Sequence, residues 1–191
     1  MKRKIVILAL ATSAAAVVTG VFVASGASAG PVEPASARLS VLSRAQAAGD
    51  ALPSFLKPGD LGRDGLKAGS TRLLGTAQGA RHWAAEDASG EVCLISMLGT
   101  TAADEVTGIT CAPTAQFAKQ GLTLQVTGPG EATEANLLPD GYAGAAGTVP
   151  GLKVVSGNLA VSDPYAAGPT EIAVGAGSAR LTLENLSPAE G

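Results

Sequence analysis

The sequence predicts a mainly β domain, an antiparallel sandwich or rolled sheet with one N-terminal helix, carried behind a signal peptide. Three observations predict it. The chain opens with a basic start, an apolar run and an Ala-x-Ala ending. From Thr71 onward it breaks into short runs of alternating apolar and polar residues separated by turn residues. Its only two cysteines, Cys93 and Cys111, lie where the arms of one hairpin would bring them face to face.

The opening is MKRKIVILALATSAAAVVTGVFVASGASAG. Lys2, Arg3 and Lys4 are followed by an uncharged run from Ile5 to Ser25, then by Ala27-Ser28-Ala29 and Gly30-Pro31. This order is that of a secretory signal peptide, with cleavage expected between Ala29 and Gly30. The alternative is a retained anchor over residues 5–25, since about 20 apolar residues suffice to cross a bilayer as a helix. The run's many Ala, Gly, Ser and Thr residues weaken its hydrophobicity and favour cleavage. Either way the rest of the chain is placed outside the membrane. The expected divisions are a signal peptide over 1–29, a linker over 30–37, one β-rich domain over 38–186 and a tail over 187–191.

Residues 36–52, SARLSVLSRAQAAGDAL, predict the helix. Ser36 can cap it, Leu39, Leu42 and Ala45 share a face, and Gly49-Asp50 and Pro53 end it. Residues 53–70 read as loop. Strands are expected at 71–77, 80–85, 91–98, 105–111, 121–127, 150–155, 158–162, 170–174 and 179–184. In GLTLQVTG, Leu122, Leu124 and Val126 face one way, and Thr123, Gln125 and Thr127 the other. Such alternation marks a sheet with one buried face. No helical pattern separates the strands, which disfavours a parallel α/β sheet. The Gly- and Pro-rich segment 132–177 defines no register of its own.

A hairpin with arms Glu91–Leu98 and Glu105–Cys111 and the link GTTAAD predicts the pairing of the cysteines. If Cys93 lies opposite Cys111, then Ile95 lies opposite Ile109, Met97 opposite Thr107 and Leu98 opposite Val106. One register joins the sulfurs and pairs the isoleucines. Opposed residues of an antiparallel pair have Cα atoms about 4.5–5.5 Å apart, within disulfide reach. Closing such a loop contributes about 3 kcal/mol in the chain-entropy model. Zinc requires three or four ligands, and two Cys with the single His82 fall short. A redox pair wants Cys-x-x-Cys, far closer than these two.

Cleavage after Ala29 removes three of the chain's 13 basic residues and none of its 16 acidic ones, leaving a net charge of about −6. An acidic chain without a basic cluster argues against nucleic acid and against anionic lipid headgroups. Only Phe55, Trp83, Phe117, Tyr142 and Tyr165 remain as aromatics, few for a carbohydrate-binding surface. The core must therefore come from Leu, Val, Ile and Ala, which makes a covalent staple useful.

Several constellations hint at chemistry. DLGRDG, residues 60–65, resembles the start of a calcium loop, but Gly62 and Thr71 stand where carboxylates are wanted, so a Gly-rich turn fits better. His82 is the only base for a Ser-His-Asp enzyme, and no Gly-x-Ser-x-Gly elbow accompanies it. Its neighbour Trp83 is expected inward, which turns His82 outward into solvent. Glu86-Asp87 and Asp104-Glu105 read as turn residues, and Glu131 and Glu134 as part of a Gly-rich link. Neither phosphate loop nor dinucleotide fingerprint occurs.

The order Arg72, Trp83, Gly90-Glu91-Val92-Cys93-Leu94, Cys111 and Leu138-Pro139-Asp140-Gly141 resembles a group of short exported proteins of high-GC Gram-positive bacteria. The resemblance covers roughly residues 38–165, departs in a longer Gly-rich stretch after Gly141, and implies an exported, disulfide-stapled fold but no chemistry. The expectation is a binding or structural module at or beyond the cell envelope. Its partner is an envelope ligand or a protein, with no catalytic residue, cofactor or metal and no membrane insertion of the mature domain. Two alternatives stand beside it: a secreted hydrolase using His82 or a carboxylate pair, and a protease inhibitor presenting the hairpin loop Gly99–Asp104.

Overall fold

The computed structural model describes residues 38–56, 61, 65–166 and 168–186, all within one compact unit, Pro31–Gly191. The cleavage site at Ala29 and Gly30, the run 5–25, Ser36, Asp60, Asp64 and the tail 187–191 lie outside the described residues. The fold is mainly β and antiparallel throughout.

The first sheet is a meander, β1 (Arg72–Ala77), β2 (Ala80–Glu86), β3 (Val92–Leu98) and β4 (Val106–Ala112), in that spatial order. A short helix, α1 (Thr114–Gln120), leads to the second sheet. That sheet holds β5 (Leu122–Gly128), β6 (Glu131–Leu137), β7 (Leu152–Ser156) and β8 (Leu159–Ser162) in the order β5-β6-β8-β7. A four-residue helix, α2 (Ala143–Ala146), precedes β7. The chain ends in a separate hairpin of β9 (Glu171–Val174) and β10 (Leu181–Glu184).

The main core lies between the two larger sheets. Leu74, Ala84, Val92 and Leu94 of the first sheet meet Leu122, Ala135, Leu137, Leu159 and Val161 of the second, with Leu39 and Phe117 joining them. The outer face of the first sheet is buried too, where Trp83, Cys93, Ile95 and Met97 pack with Leu52, Phe55, Leu56 and Leu66. β3 is therefore buried at all seven positions. The alternate face of the second sheet carries Leu152 and Ala160, covered by α2 and the final hairpin through Ala146, Val174, Leu181 and Leu183.

The cysteine hairpin has the expected register, with Cys93 opposite Cys111, Ile95 opposite Ile109 and Met97 opposite Thr107. The face carrying Leu94 and Thr110 is not a solvent face. Leu94 is fully buried in the main core, because the second sheet stacks on that side.

The expected helix over 36–52 is replaced, across its described part, by two 3-10 turns, Ser40–Ser43 and Ala48–Asp50. Several backbone groups that a helix would pair internally go instead to carboxylates and to the Arg72 guanidinium. The Ser40 N–H donates to the Asp140 carboxylate, and the Ala47 N–H donates to the Asp50 carboxylate. The Arg72 guanidinium donates to the Arg44 carbonyl. Asp50 also accepts from the Leu73 N–H and makes a two-point pair with Arg44 at 2.5 and 2.7 Å. Arg44, foremost through its side-chain hydrogen bonds, holds the Asp50 carboxyl well below the usual carboxylate range. The segment is thereby fastened to β1.

One further element differs from expectation: β6 falls in a stretch expected to be a Gly-rich link.

Candidate binding cleft

A cleft of about 390 Å³ opens between the two larger sheets and the final hairpin. One wall is the C-terminal end of β4, at Thr110, Cys111 and Ala112, with Gln116 and Gln120 of α1. Its floor is the start of β5, Gly121 to Thr123, and the far wall is Thr170, Glu171, Thr182 and Glu184. Gly121 ends α1 with φ +60°, its N–H bonded to the Phe117 carbonyl. A Cβ there would lie 2.7 Å from the Leu137 carbonyl oxygen, so only glycine lets the chain turn here against β6.

Glu171 and Glu184 are directly opposed across the β9–β10 pair. Like charges so placed repel and destabilise the pair. Both are exposed, and among the described residues neither has an ion pair or a hydrogen bond. Thr123 differs: its hydroxyl donates to Asn136 Oδ1, and Asn136 Nδ2 donates to the Ser162 hydroxyl. Ser162 in turn donates to Glu134 Oε1 at 2.5 Å. This buried polar row on the β6–β8 ladder holds Thr123 and the β5 edge in place.

The sequence's candidate residues do not meet in this cleft, except for one half of the disulfide. Cys93 and Cys111 are bonded, with Cα atoms 4.0 Å apart. Cys93 is buried, while Cys111 reaches the cleft wall. His82 is not solvated, as expected from Trp83, but fully buried. Trp83 does face inward, towards the outer-face cluster, which turns His82 into the space between the sheets rather than into water. Its Nδ1 is 2.9 Å from the Ser96 hydroxyl and its Nε2 is 3.4 Å from the Ala77 carbonyl. Burial pushes its pKa below the ordinary value.

The row holding this pair runs Gly75, His82, Ser96, Gly108 across the sheet. A Cβ on Gly75 would come within 2.9 Å of Val155, and one on Gly108 within 2.9 Å of Val126. Glycine at both edges lets the second sheet close over the histidine, so no reacting group can reach it.

The carboxylates considered as pairs are spread apart in role. Glu86 forms an exposed ion pair with Lys67 at 2.9 Å, and Asp87 accepts the N–H groups of Ser89 and Glu91 in the β2–β3 turn. Asp104 accepts the N–H and hydroxyl of Thr101, which draws its pKa down and closes the hairpin tip. Glu105 follows it at the tip, half-buried. Glu131 is exposed at the start of β6, whereas Glu134 is fully buried three residues on. Among the described residues, no group of three or more His, Cys, Asp or Glu could hold a metal ion, and no helix is long and apolar enough to cross a membrane.

Sequence reasoning missed Glu171, Glu184, Thr170 and Thr182. Their alternation was legible, as in ARLTLENL, but nothing in one strand tells that its polar face will line a cleft. No family model, curated protein or solved structure matches the chain.

Proposed function

We propose that the chain is an exported, disulfide-stapled binding module that acts at or beyond the cell envelope and holds its ligand in the cleft beside β4. The observation that carries the reading is the state of the cleft's far wall. Two opposed glutamates and the hydroxyls of Thr170 and Thr182 surround an open volume, and among the described residues these side chains bond to nothing. Polar groups at a concave site without internal partners suit a polar ligand that completes them. The signal-like start and the Cys93–Cys111 bond both suit an oxidising compartment outside the cytoplasm.

The test is co-sedimentation of the purified mature protein with envelope material of the producing cells. Wild type should be retained. A Glu171→Lys/Glu184→Lys variant, altered only at exposed positions, should melt normally and stay in the supernatant. Equal retention of both proteins would sink the reading. N-terminal sequencing of the secreted form should begin at Gly30, and finding only full-length chain in the membrane fraction would instead favour the anchor over 5–25.

One observation favours a second reading, the protease inhibitor. The tip 100–104 is exposed yet closed by the Thr101–Asp104 hydrogen bonds, a preformed loop that a protease cleft could accept. The disulfide, however, joins the arms at the far end of the hairpin from this tip. Slow, non-cleaving inhibition of an extracellular protease, abolished by Asp104→Ala, would establish it.

A further inference from the structure

The outermost strands of the two larger sheets are not built alike. β1 carries a register shift between Leu73 and Gly75, and β7 one between Val154 and Ser156 together with Lys153. Bulges and lysines are devices that keep an edge from pairing with another chain. β4, VTGITCA, and β5, LTLQVTG, have neither: each register is unbroken over seven pairs, without a charge or a proline, and of the two it is β4 that carries the disulfide half Cys111 on the cleft wall.

The disulfide tells which backbone groups this edge presents. Antiparallel pairs alternate between a hydrogen-bonded type, with Cα atoms about 5.5 Å apart, and a non-hydrogen-bonded type about 4.5 Å apart. Cys93 and Cys111 are 4.0 Å apart and so belong to the second type. The same holds for Ile109 and Thr107, two and four residues back along the regular ladder. The N–H and C=O groups of Thr107, Ile109 and Cys111 therefore point away from β3. Among the described residues none of them has a hydrogen-bond partner, and all three residues are part-exposed. The row ends at Cys111, on the wall of the cleft whose opposite side carries the unpaired Glu171 and Glu184.

We infer that β4 receives an extended peptide strand of a partner protein, bearing a lysine or arginine at the end that enters the cleft. The main-chain groups of Thr107, Ile109 and Cys111 provide the ladder, and the opposed glutamates select the basic side chain. A second copy of the mature chain is the poorer occupant, because its net charge of about −6 would set acid against acid. The inference rests on the cleft-binding reading and names its ligand.

The probe is the synthetic peptide Lys-Val-Thr-Val-Thr-Lys at millimolar concentration, read by amide hydrogen exchange of the oxidised protein. Protection should appear at Thr107, Ile109 and Cys111. It should vanish when the peptide's alternate amides are N-methylated, a control that leaves the protein untouched. Thr107→Pro removes one outward N–H at a position where an edge strand tolerates proline, and should abolish protection at Ile109 as well. Each of Glu171→Gln and Glu184→Gln should weaken binding by about two- to fivefold, the size of an exposed ion pair.

Unprotected amides would overturn the inference, and so would equal binding of the N-methylated peptide. Concentration-dependent protection without any peptide would also overturn it, in favour of self-pairing. If envelope retention still depends on Glu171 and Glu184 while the peptide protects nothing, the strand fails and the cleft reading survives. If the peptide protects β4 but retention ignores the glutamates, the strand stands without the envelope role.

Discussion

Replacing both cysteines, as Cys93→Ala/Cys111→Ala, perturbs the point where the fold has its one covalent tie. The two positions are 18 residues apart, so the chain-entropy term is about 3 kcal/mol. Cys93 is fully buried among Trp83, Ile95 and Met97, and losing its sulfur removes packing worth about 1 kcal/mol more. The total of about 4 kcal/mol is a large share of the about 5–15 kcal/mol by which domains are usually stable. For a chain of this size it corresponds to a fall in melting temperature of about 8–16 °C. The effect should also be uneven. Among the described residues β4 is held laterally only by its ladder to β3, so its amides should lose exchange protection before those of β6, which is paired on both sides. Calorimetry and amide exchange of the oxidised wild type and the double variant make the comparison. Melting within about 2 °C of wild type, or uniform loss of protection, would show that the disulfide does not hold β4 in this way.

Three further perturbations follow from the packing. Leu94→Ala should cost about 2–5 kcal/mol in denaturant melts, because the face it shares with Thr110 is the main core, and a loss below about 1 kcal/mol would mean that the second sheet does not cover it. His82 is the chain's only histidine, and its folded pKa lies below its unfolded value near 6.5. The unfolded chain then binds more protons, so stability is full above about pH 6.5 and falls below it, by at most about 1.4 kcal/mol per pH unit for one proton. His82→Gln should flatten this slope between about pH 6.5 and 4.5, above the range in which the depressed carboxyl of Asp50 begins to matter; equal slopes for both proteins would contradict the burial of His82. Gly121→Ala should destabilise by about 2 kcal/mol or more, since it meets both a positive φ and the Leu137 carbonyl, and a neutral result would place the α1–β5 turn elsewhere.

The parts of the fold that were legible in the sequence are those where local pattern and tertiary role agree. β5 alternates cleanly because its one face meets the main core and its other face does not. The cysteine hairpin was legible in register because two independent pairs, the sulfurs and the isoleucines, demand the same alignment. β6 was not legible. Its residues EATEANL have weak strand preference, yet it lies in the middle of its sheet and buries Glu134 and Asn136, which Ser162 satisfies from a strand 28 and 26 residues away. A polar residue that is buried because a distant partner meets it leaves no local trace. His82 was misplaced for a related reason. The two-residue period correctly put it opposite Trp83, but both faces of the first sheet are buried, and period alone does not say so. The N-terminal segment has helical spacing, yet Asp50, Arg72 and Asp140 capture its backbone groups. The cleft was the least legible feature, since it is assembled from β4, α1, β5, β9 and β10, and its acidic wall exists only through the Glu171–Glu184 register.

Backbone amide NMR of the oxidised mature protein, with and without soluble envelope extract from the producing cells, is the sharpest test of the binding proposed for the cleft beside β4. Shifts should gather at Thr110, Cys111, Gly121, Thr123, Thr182 and Glu184, with the tip 100–104 and His82 unmoved. Shifts gathered at the tip instead, with the cleft silent, would contradict it.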